Sequence, residues 1–362
     1  MKNKFLLVIL ILIVASFALS SCTGGGRVMA SGWPGITVDD ETAYVSFNQH
    51  VYAVSLTNGV EKWRYPAAVE KNVSFYAAPA VTPDGQVIVG GYNNILYSLN
   101  AANGQSNWTF EDSQDRFVGS ALVAAEQIYV PSSDNKLYAL NLNGQPVWAQ
   151  PFATEDANWS KPATDPNCQC VYLASMDHSV YAINPATGKQ IWRSEMLGGA
   201  MVGTPAVSDD GQLYIGTFLD ELVAIDTSNG QILWRFPTQG WVWASPTLDG
   251  DVLYFGDIEG NFYAVDRQTS NQIWTIKSNG AIVGKPLITA DGIYFTTEAG
   301  TLYALTLEGS TRWTKDFEAT LHSGPLAVGD TILIATDEGG LVLFALDAEG
   351  LQKWQFSPSE EK

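Results

Sequence analysis

The sequence predicts an all-β fold made of eight copies of one unit of about 40 residues. Three observations support this prediction: a recurring tryptophan, a recurring proline in phase with it, and short β-branched and aromatic runs separated by turn residues. Hydrophobic residues make up 46% of the chain, enough for a folded core. The hydrophobic periodicity of a helix is absent from the repeated part, so strands are expected throughout.

The recurring tryptophan lies near the end of each unit. Its eight positions are Trp63, Trp108, Trp148, Trp192, Trp234, Trp274, Trp313 and Trp354. A small residue, alanine or serine, precedes each tryptophan by nine or ten positions, and a glycine precedes it by four positions except in the sixth unit, which has Ser270. The recurring proline opens the units at Pro34, Pro79, Pro162, Pro205, Pro246, Pro286 and Pro325, with Ala121 in the remaining unit.

The fifth unit shows how one copy divides into strands. Apolar runs at 206–207, 213–216, 222–225 and 232–236 are separated by turn residues such as Asn229-Gly230. Four-stranded antiparallel sheets repeated radially at this period form a β-propeller. Residues 33–356 are therefore predicted to form a single eight-bladed propeller domain. The alternative is a seven-bladed ring in which the first unit is degenerate.

The first residues are typical of an export signal. Lys2 and Lys4 precede an apolar run at 5–19, which ends in Leu-Ser-Ser before Cys22. This ending resembles the lipobox of bacterial lipoproteins, which implies that Cys22 is lipidated. We expect a signal peptide at 1–21, a lipidated N-terminus and flexible tether at 22–32, and a C-terminal tail at 357–362. The alternative is an uncleaved anchor, and either way most of the chain lies outside the cytoplasm.

The charge balance limits the class of partner. The chain has 38 acidic residues against 19 lysines and arginines, a formal net charge of −19. An acidic excess of this size repels phosphate backbones, so a nucleic-acid partner is not expected.

The units also resemble a known repeat. The segments at 137–148, 180–192 and 222–234 (LYALNLNGQPVW, VYAINPATGKQIW and LVAIDTSNGQILW) are similar to the repeat of pyrroloquinoline-quinone (PQQ) enzymes. The resemblance covers 33–356 and implies a tryptophan-docking motif, in which each tryptophan packs on the small residue and the turn of the neighbouring blade. Such a motif is a packing device and does not imply cofactor binding.

An enzyme is not predicted. The PQQ enzymes that the repeat resembles carry large insertions, a calcium site of carboxylate and amide ligands and, in the alcohol group, two adjacent cysteines. This sequence has neither an adjacent cysteine pair nor a large insertion nor a matching ligand set. We therefore expect no catalytic residues, no metal and no cofactor, and a PQQ-dependent dehydrogenase is the least favoured hypothesis.

Residues left over from the repeat indicate a candidate binding surface. The position three before the proline landmark is occupied by Tyr76, Val118, Trp159, Val202, Trp243, Val283 and His322. These residues lie between successive units and are expected to ring one mouth of the central channel. Lys161 and Lys285 precede their prolines, and Trp241 lies in the same kind of connection. The surface either binds a peptide or a glycan or only plugs the channel.

Two cysteines lie close together in the fourth unit. Cys168 and Cys170 flank one residue, and in an oxidising compartment they can form a small, strained disulfide. Free thiols in a loop are the alternative.

The lipobox, the repeats and the length together resemble the family of propeller lipoproteins of the outer-membrane β-barrel assembly machinery. This resemblance implies a non-catalytic protein-binding scaffold whose partner is an envelope protein or a client strand. The alternative function is a cell-surface glycan or small-ligand sensor. The lipid anchor is expected on the periplasmic side of the outer membrane in a cell with two membranes, and on the outer face of the cytoplasmic membrane otherwise.

Overall fold

The computed structural model describes residues 35–39, 41–165, 170–337 and 340–359, and the chain is all-β over these residues. It forms eight separate sheets, each made of four consecutive antiparallel strands. We number these sheets blades 1 to 8 in chain order. The prediction of eight four-stranded blades is confirmed, and the seven-bladed alternative is wrong, because the first unit forms a complete sheet of its own.

The blades are built from short strands of two to six residues. Blades 1 to 4 contain β1 (Gly35–Val38), β2 (Thr42–Phe47), β3 (His50–Ser55), β4 (Glu61–Tyr65), β5 (Ala80–Val81), β6 (Gln86–Gly90), β7 (Leu96–Asn100), β8 (Ser106–Phe110), β9 (Leu122–Ala124), β10 (Gln127–Pro131), β11 (Lys136–Asn141), β12 (Phe152–Ala153), β13 (Ala163–Asp165), β14 (Cys170–Ala174), β15 (Val180–Ile183) and β16 (Gln190–Arg193). Blades 5 to 8 contain β17 (Ala206–Val207), β18 (Gln212–Thr217), β19 (Glu221–Asp226), β20 (Ile232–Pro237), β21 (Thr247–Asp249), β22 (Val252–Gly256), β23 (Asn261–Asp266), β24 (Gln272–Lys277), β25 (Leu287–Thr289), β26 (Gly292–Thr296), β27 (Thr301–Leu305), β28 (Thr311–Asp316), β29 (Leu326–Val328), β30 (Thr331–Thr336), β31 (Val342–Leu346) and β32 (Gln352–Phe356).

The proline landmark lies directly before the first strand of each blade. Pro79 precedes β5 and Pro205 precedes β17, for example, while Pro34 lies outside the described residues. First strands of successive blades adjoin one another, as β5 does β9 and β17 does β21, so they line the central channel. Proline suits this position because its fixed φ favours an extended entry into the strand.

The core lies between the blades. Eight apolar clusters are present, and each one joins two successive blades. Middle strands such as β2 are therefore buried along their whole length on both faces. The ring closes through the cluster in which Val45 and Tyr52 of blade 1 pack with Leu333 and Leu343 of blade 8.

Every landmark tryptophan ties its blade to the next one. Its indole Nε1 donates a hydrogen bond, 2.7–3.2 Å long, to a backbone carbonyl in the following blade. Trp192 of blade 4, for instance, donates to Thr227 of blade 5 over 2.7 Å. Trp354 of blade 8 donates to Leu56 of blade 1 over 2.8 Å, so the same contact closes the ring.

The small residue lies opposite the tryptophan of its own blade. Ala182 is the register partner of Trp192 within its own blade, and a β-bulge follows directly after it. Its equivalent in the next blade, Ala224, packs with Trp234. The small residue thus faces its own tryptophan across the last pair of strands, and docking of a tryptophan on the small residue of the neighbouring blade stays a prediction.

Blade 3 departs from the repeat at its outer edge. Its fourth strand is reduced to Phe152–Ala153 and follows Trp148 instead of containing it. Pro146 and Pro151 flank this tryptophan, and neither can donate a ladder hydrogen bond. Trp148 still donates to the Pro185 carbonyl of blade 4, so the link between blades survives the loss of the strand.

Among the described residues, no helix has the length and apolar character required to cross a membrane.

Candidate functional site

The residues expected at the channel mouth lie around one opening. All seven, Tyr76, Val118, Trp159, Val202, Trp243, Val283 and His322, line a single cavity of about 250 Å³. Lys161 and Lys285 line the same cavity and the channel of about 610 Å³ below it. Trp241 is not part of this lining.

Backbone hydrogen bonds hold the mouth in place. In blades 2 to 7, the connection that enters the blade pairs with the turn between the second and third strands of that blade. The Phe218 amide of blade 5 donates to the Ala200 carbonyl over 3.0 Å, and the Ile258 amide of blade 6 donates to the Trp241 carbonyl over 3.0 Å. Side chains of connections and turns are thereby brought onto one face.

Three aromatic rings form a stack on this face. Phe218 lies between Trp241 and Trp243, with ring centroids 4.9 Å and 5.0 Å apart and interplanar angles of 12° and 28°. Trp241 is 43% exposed and the neighbouring Leu219 is 53% exposed. We call Phe218, Leu219, Trp241 and Trp243 the aromatic patch.

Exposed acidic side chains lie in the turns and connections next to those that carry the aromatic patch. Asp220 follows it directly in the turn, Glu259 lies in the corresponding turn of blade 6, and Glu195 lies in the connection that enters blade 5, and all three are exposed. An apolar surface with a polar rim of this kind is typical of a protein-binding site.

A second aromatic group lies on the blade 2 side of the mouth. The rings of Tyr76 and Tyr92 are 4.3 Å apart, and the Arg116 guanidinium lies 5.2 Å from the centre of the Tyr92 ring. Burial raises the pKa of both tyrosines. Both phenols are therefore neutral at physiological pH and can act as hydrogen-bond donors.

The remaining mouth residues are held by polar contacts. The Trp159 indole donates to the Ser133 hydroxyl over 3.1 Å. His322 Nδ1 lies 2.7 Å from Asp337 Oδ2, and its Nε2 lies 3.5 Å from Glu298 Oε1. These contacts fix the orientation of the two rings, and no group of three potential metal ligands occurs among the described residues.

The described channel lining does not fit the calcium-bound quinone of the enzymes whose repeat this sequence resembles. Calcium takes six to eight oxygen ligands, with carboxylates prominent among them. The described lining of the mouth and channel has hydroxyl groups, His322 and two lysines but no Asp, Glu, Asn or Gln. Two ammonium groups also repel a divalent cation, so this lining does not suit a calcium-bound quinone.

Two of the predicted residues, Cys22 and Cys168, lie outside the described residues. Cys170 is disulfide-bonded, and its pairing with Cys168 stays a prediction.

The sequence analysis did not predict that Phe218, Tyr92 and Arg116 belong to this surface. The first two occupy equivalent turn positions in blades 5 and 2, so alignment of the repeats on these turns would have found them.

The comparison with protein families decides the membership of this chain. The model of the family described as outer membrane protein assembly factor BamB matches residues 21–172, 176–290 and 259–362. The chain belongs to the BamB family.

Curated relatives of this BamB-family chain include both enzymes and an assembly factor. Tetrathionate hydrolase of Acidithiobacillus ferrooxidans is 31% identical over 121 residues, which cover 33% of this chain and 23% of that protein. Polyvinylalcohol dehydrogenase of a Pseudomonas species is 23% identical over 177 residues, covering 36% and 28%. BamB of Nitrosomonas eutropha is 26% identical over 137 residues, covering 36% and 31%. The chain thus matches less than a third of the length of each relative.

Solved structures show the same fold. BamB from Moraxella catarrhalis has a TM-score of 0.69 at 18% identity, over 90% of this chain and 95% of that chain. A europium-containing methanol dehydrogenase has a TM-score of 0.67 at 14% identity, over 88% and 82%. At these identities the likeness concerns the fold alone.

Proposed function

We propose that this chain is a non-catalytic scaffold of the bacterial envelope that binds other proteins at the mouth face of the propeller. The aromatic patch is the observation that carries the proposal. It exposes Trp241 and Leu219 beside a rigid stack, at the end of the blades where all inter-blade connections lie. Trp and other aromatic residues are enriched in the energetic centres of protein interfaces.

The acidic rim indicates the chemistry of the partner. Asp220, Glu195 and Glu259 are exposed in turns and connections next to those of the patch, so an apolar segment flanked by lysine or arginine would complement this surface. Membership of the BamB family supports a subunit of the outer-membrane assembly machinery, or a strand of a client protein, as this partner.

Site-specific photo-crosslinking in cells tests this role. Trp241 is replaced by a photoreactive amino acid. The matched control is the same replacement of Leu351, which is 67% exposed in a turn at the opposite end of blade 8. We expect position 241, and not position 351, to yield adducts with a subunit of the assembly machinery or with a client β-barrel protein. Adducts with neither protein class, or identical adducts from both positions, would refute the proposal.

The stack also favours a second candidate, a glycan-binding module. One face of the Trp241 ring lies on Phe218 and the indole remains 43% exposed, which is the arrangement of a sugar-stacking platform. Cell-wall glycans should then protect the wild-type protein, but not Trp241→Phe, from fluorescence quenching by acrylamide. Equal quenching with and without glycan would remove this candidate.

We further propose that Cys22 anchors the protein to the membrane through lipid, with residues 22–32 as the tether. The Leu-Ser-Ser-Cys sequence supports this anchor. Metabolic labelling with a fatty acid should mark the wild type and not Cys22→Ala, and the variant should leave the membrane fraction. Labelling of the variant would show that the anchor lies elsewhere.

A further inference from the structure

The central channel carries an unusual set of side chains for so acidic a protein. The position directly before the proline landmark points seven equivalent residues into it: Ala78, Ser120, Lys161, Thr204, Ser245, Lys285 and Gly324. Blades 3 to 7 therefore present, in order, a hydroxyl, a lysine, two hydroxyls and a second lysine. Every one of these five groups can donate a hydrogen bond.

The two lysines lack a counter-ion among the residues that the structure describes. No described residue forms a hydrogen bond or an ion pair with the ammonium of Lys161 or Lys285, and the described channel lining contains no carboxylate. Several other cations of the propeller form ion pairs, as Arg193 does with Glu155 and Arg267 with Asp210. Acidic residues outnumber basic ones two to one, so an unpaired pair of lysines in one recess is a specific feature.

The lysines also act on one another. Burial lowers the pKa of both side chains, and the positive charge of Lys285 further lowers the pKa of Lys161. An anion bound between them would relieve this repulsion and replace lost hydration.

The hydroxyl groups complete the donor set. Ser245 Oγ already accepts a 2.7 Å hydrogen bond from the Thr204 amide, so its own hydrogen is available for a ligand. The channel volume of about 610 Å³ is in the range of small-molecule sites.

We propose that the central channel binds a small organic anion through its carboxylate or phosphate groups, held by Lys161 and Lys285 with hydroxyl groups from the intervening blades. Phe218, Leu219 and Trp241 of the aromatic patch lie outside the lining of the mouth and channel, whereas Trp243 lines the mouth together with both lysines. The lysines are not part of the aromatic patch, so their substitution tests this site separately from the protein-binding surface proposed above.

Calorimetric titration of the full-length, detergent-extracted protein tests the site. Citrate and inorganic phosphate are the probes, and erythritol is the uncharged control. We expect one anion per chain at millimolar concentration or below, and a loss of affinity of about tenfold or more in the variant Lys161→Gln/Lys285→Gln, because two charge-assisted contacts are removed. The matched control Lys189→Gln changes an exposed lysine in an outer turn and should bind like the wild type.

Thermal unfolding supplies a second measurement. The anions should raise the Tm of the wild type and of Lys161→Arg/Lys285→Arg, which keeps both charges, but not that of the double glutamine variant. Circular dichroism without ligand shows whether each variant is folded. Absence of binding by either probe, or equal binding by the wild type and a folded double glutamine variant, would overturn the proposal.

Discussion

The contact between a turn glycine and the tryptophan of the preceding blade can be tested with a matched pair of substitutions. Gly230 has φ +78°, and a Cβ atom added to it would lie 2.6 Å from Cε3 of Trp192. Gly85 has nearly the same backbone conformation, φ +79°, but its added Cβ would meet no atom within 4 Å. The two alanine variants therefore share the same backbone strain and differ in the clash.

The expected loss of stability has two parts, the cost of the backbone strain and the cost of the clash. An alanine in the left-handed region costs roughly 1–2 kcal/mol, which is the whole expected loss for Gly85→Ala. Gly230→Ala adds an overpacking term of about 1–3 kcal/mol, because Trp192 is held by its neighbours and by its hydrogen bond to Thr227. We expect the free energy of unfolding of Gly230→Ala to be lower than that of Gly85→Ala by this second term.

Equilibrium urea unfolding, followed by circular dichroism and by fluorescence, provides the measurement, since both variants keep all twelve tryptophans. In a Trp192→Ala background the excess cost of Gly230→Ala should disappear, because the clashing ring is gone. Equal losses for the two glycine variants, or an excess that persists without the indole, would refute the assigned contact.

The other predictions concern separate parts of the ring. Trp192→Ala should lower the free energy of unfolding by about 3–5 kcal/mol. Substitution of the exposed Trp241 by alanine should change it by about 0.5 kcal/mol or less. Similar urea midpoints for the two variants would contradict the structural role of the landmark tryptophan. Ser270 has φ +56° at the glycine position, so Ser270→Gly should stabilise the protein by up to about 1 kcal/mol in the same assay, and a destabilised variant would contradict this reasoning. Hydrogen bonds from a serine hydroxyl and from Arg267 lower the pKa of Asp210 to about 2. This half-exposed carboxylate therefore stabilises the fold above its unfolded pKa near 3.8, and the contribution is lost as the pH falls through about 2. Asp210→Asn should be less stable than the wild type by up to about 1 kcal/mol at pH 7, with a difference that shrinks toward pH 2; a difference independent of pH would exclude the ion pair as its source.

Periodicity explains why the candidate site was partly predictable. Each unit imposes the same path on the chain, so the residue three positions before the landmark reaches the mouth in blades 2 to 8, whether it is Val118, Trp159 or His322. The partners of these residues lie at one equivalent position of the turn between the second and third strands, which is occupied by Tyr92, Ser133, Phe218 and Asp337. The repeat therefore locates this position, but the residue type differs from blade to blade, so the contacts of His322 with Asp337 and of Trp159 with Ser133 could not be inferred from it.

The sequence by itself determined the number of blades, their boundaries and the residues that face the channel, because these follow from a repeated local pattern and one packing contact. Only the tertiary structure decided which side chains meet across blades. It placed Phe218 between Trp241 and Trp243, and it brought His322 into contact with Asp337 and Glu298. Such contacts depend on the packing of neighbouring blades, which brings together residues that are distant in the chain, and a local pattern carries no information about that packing.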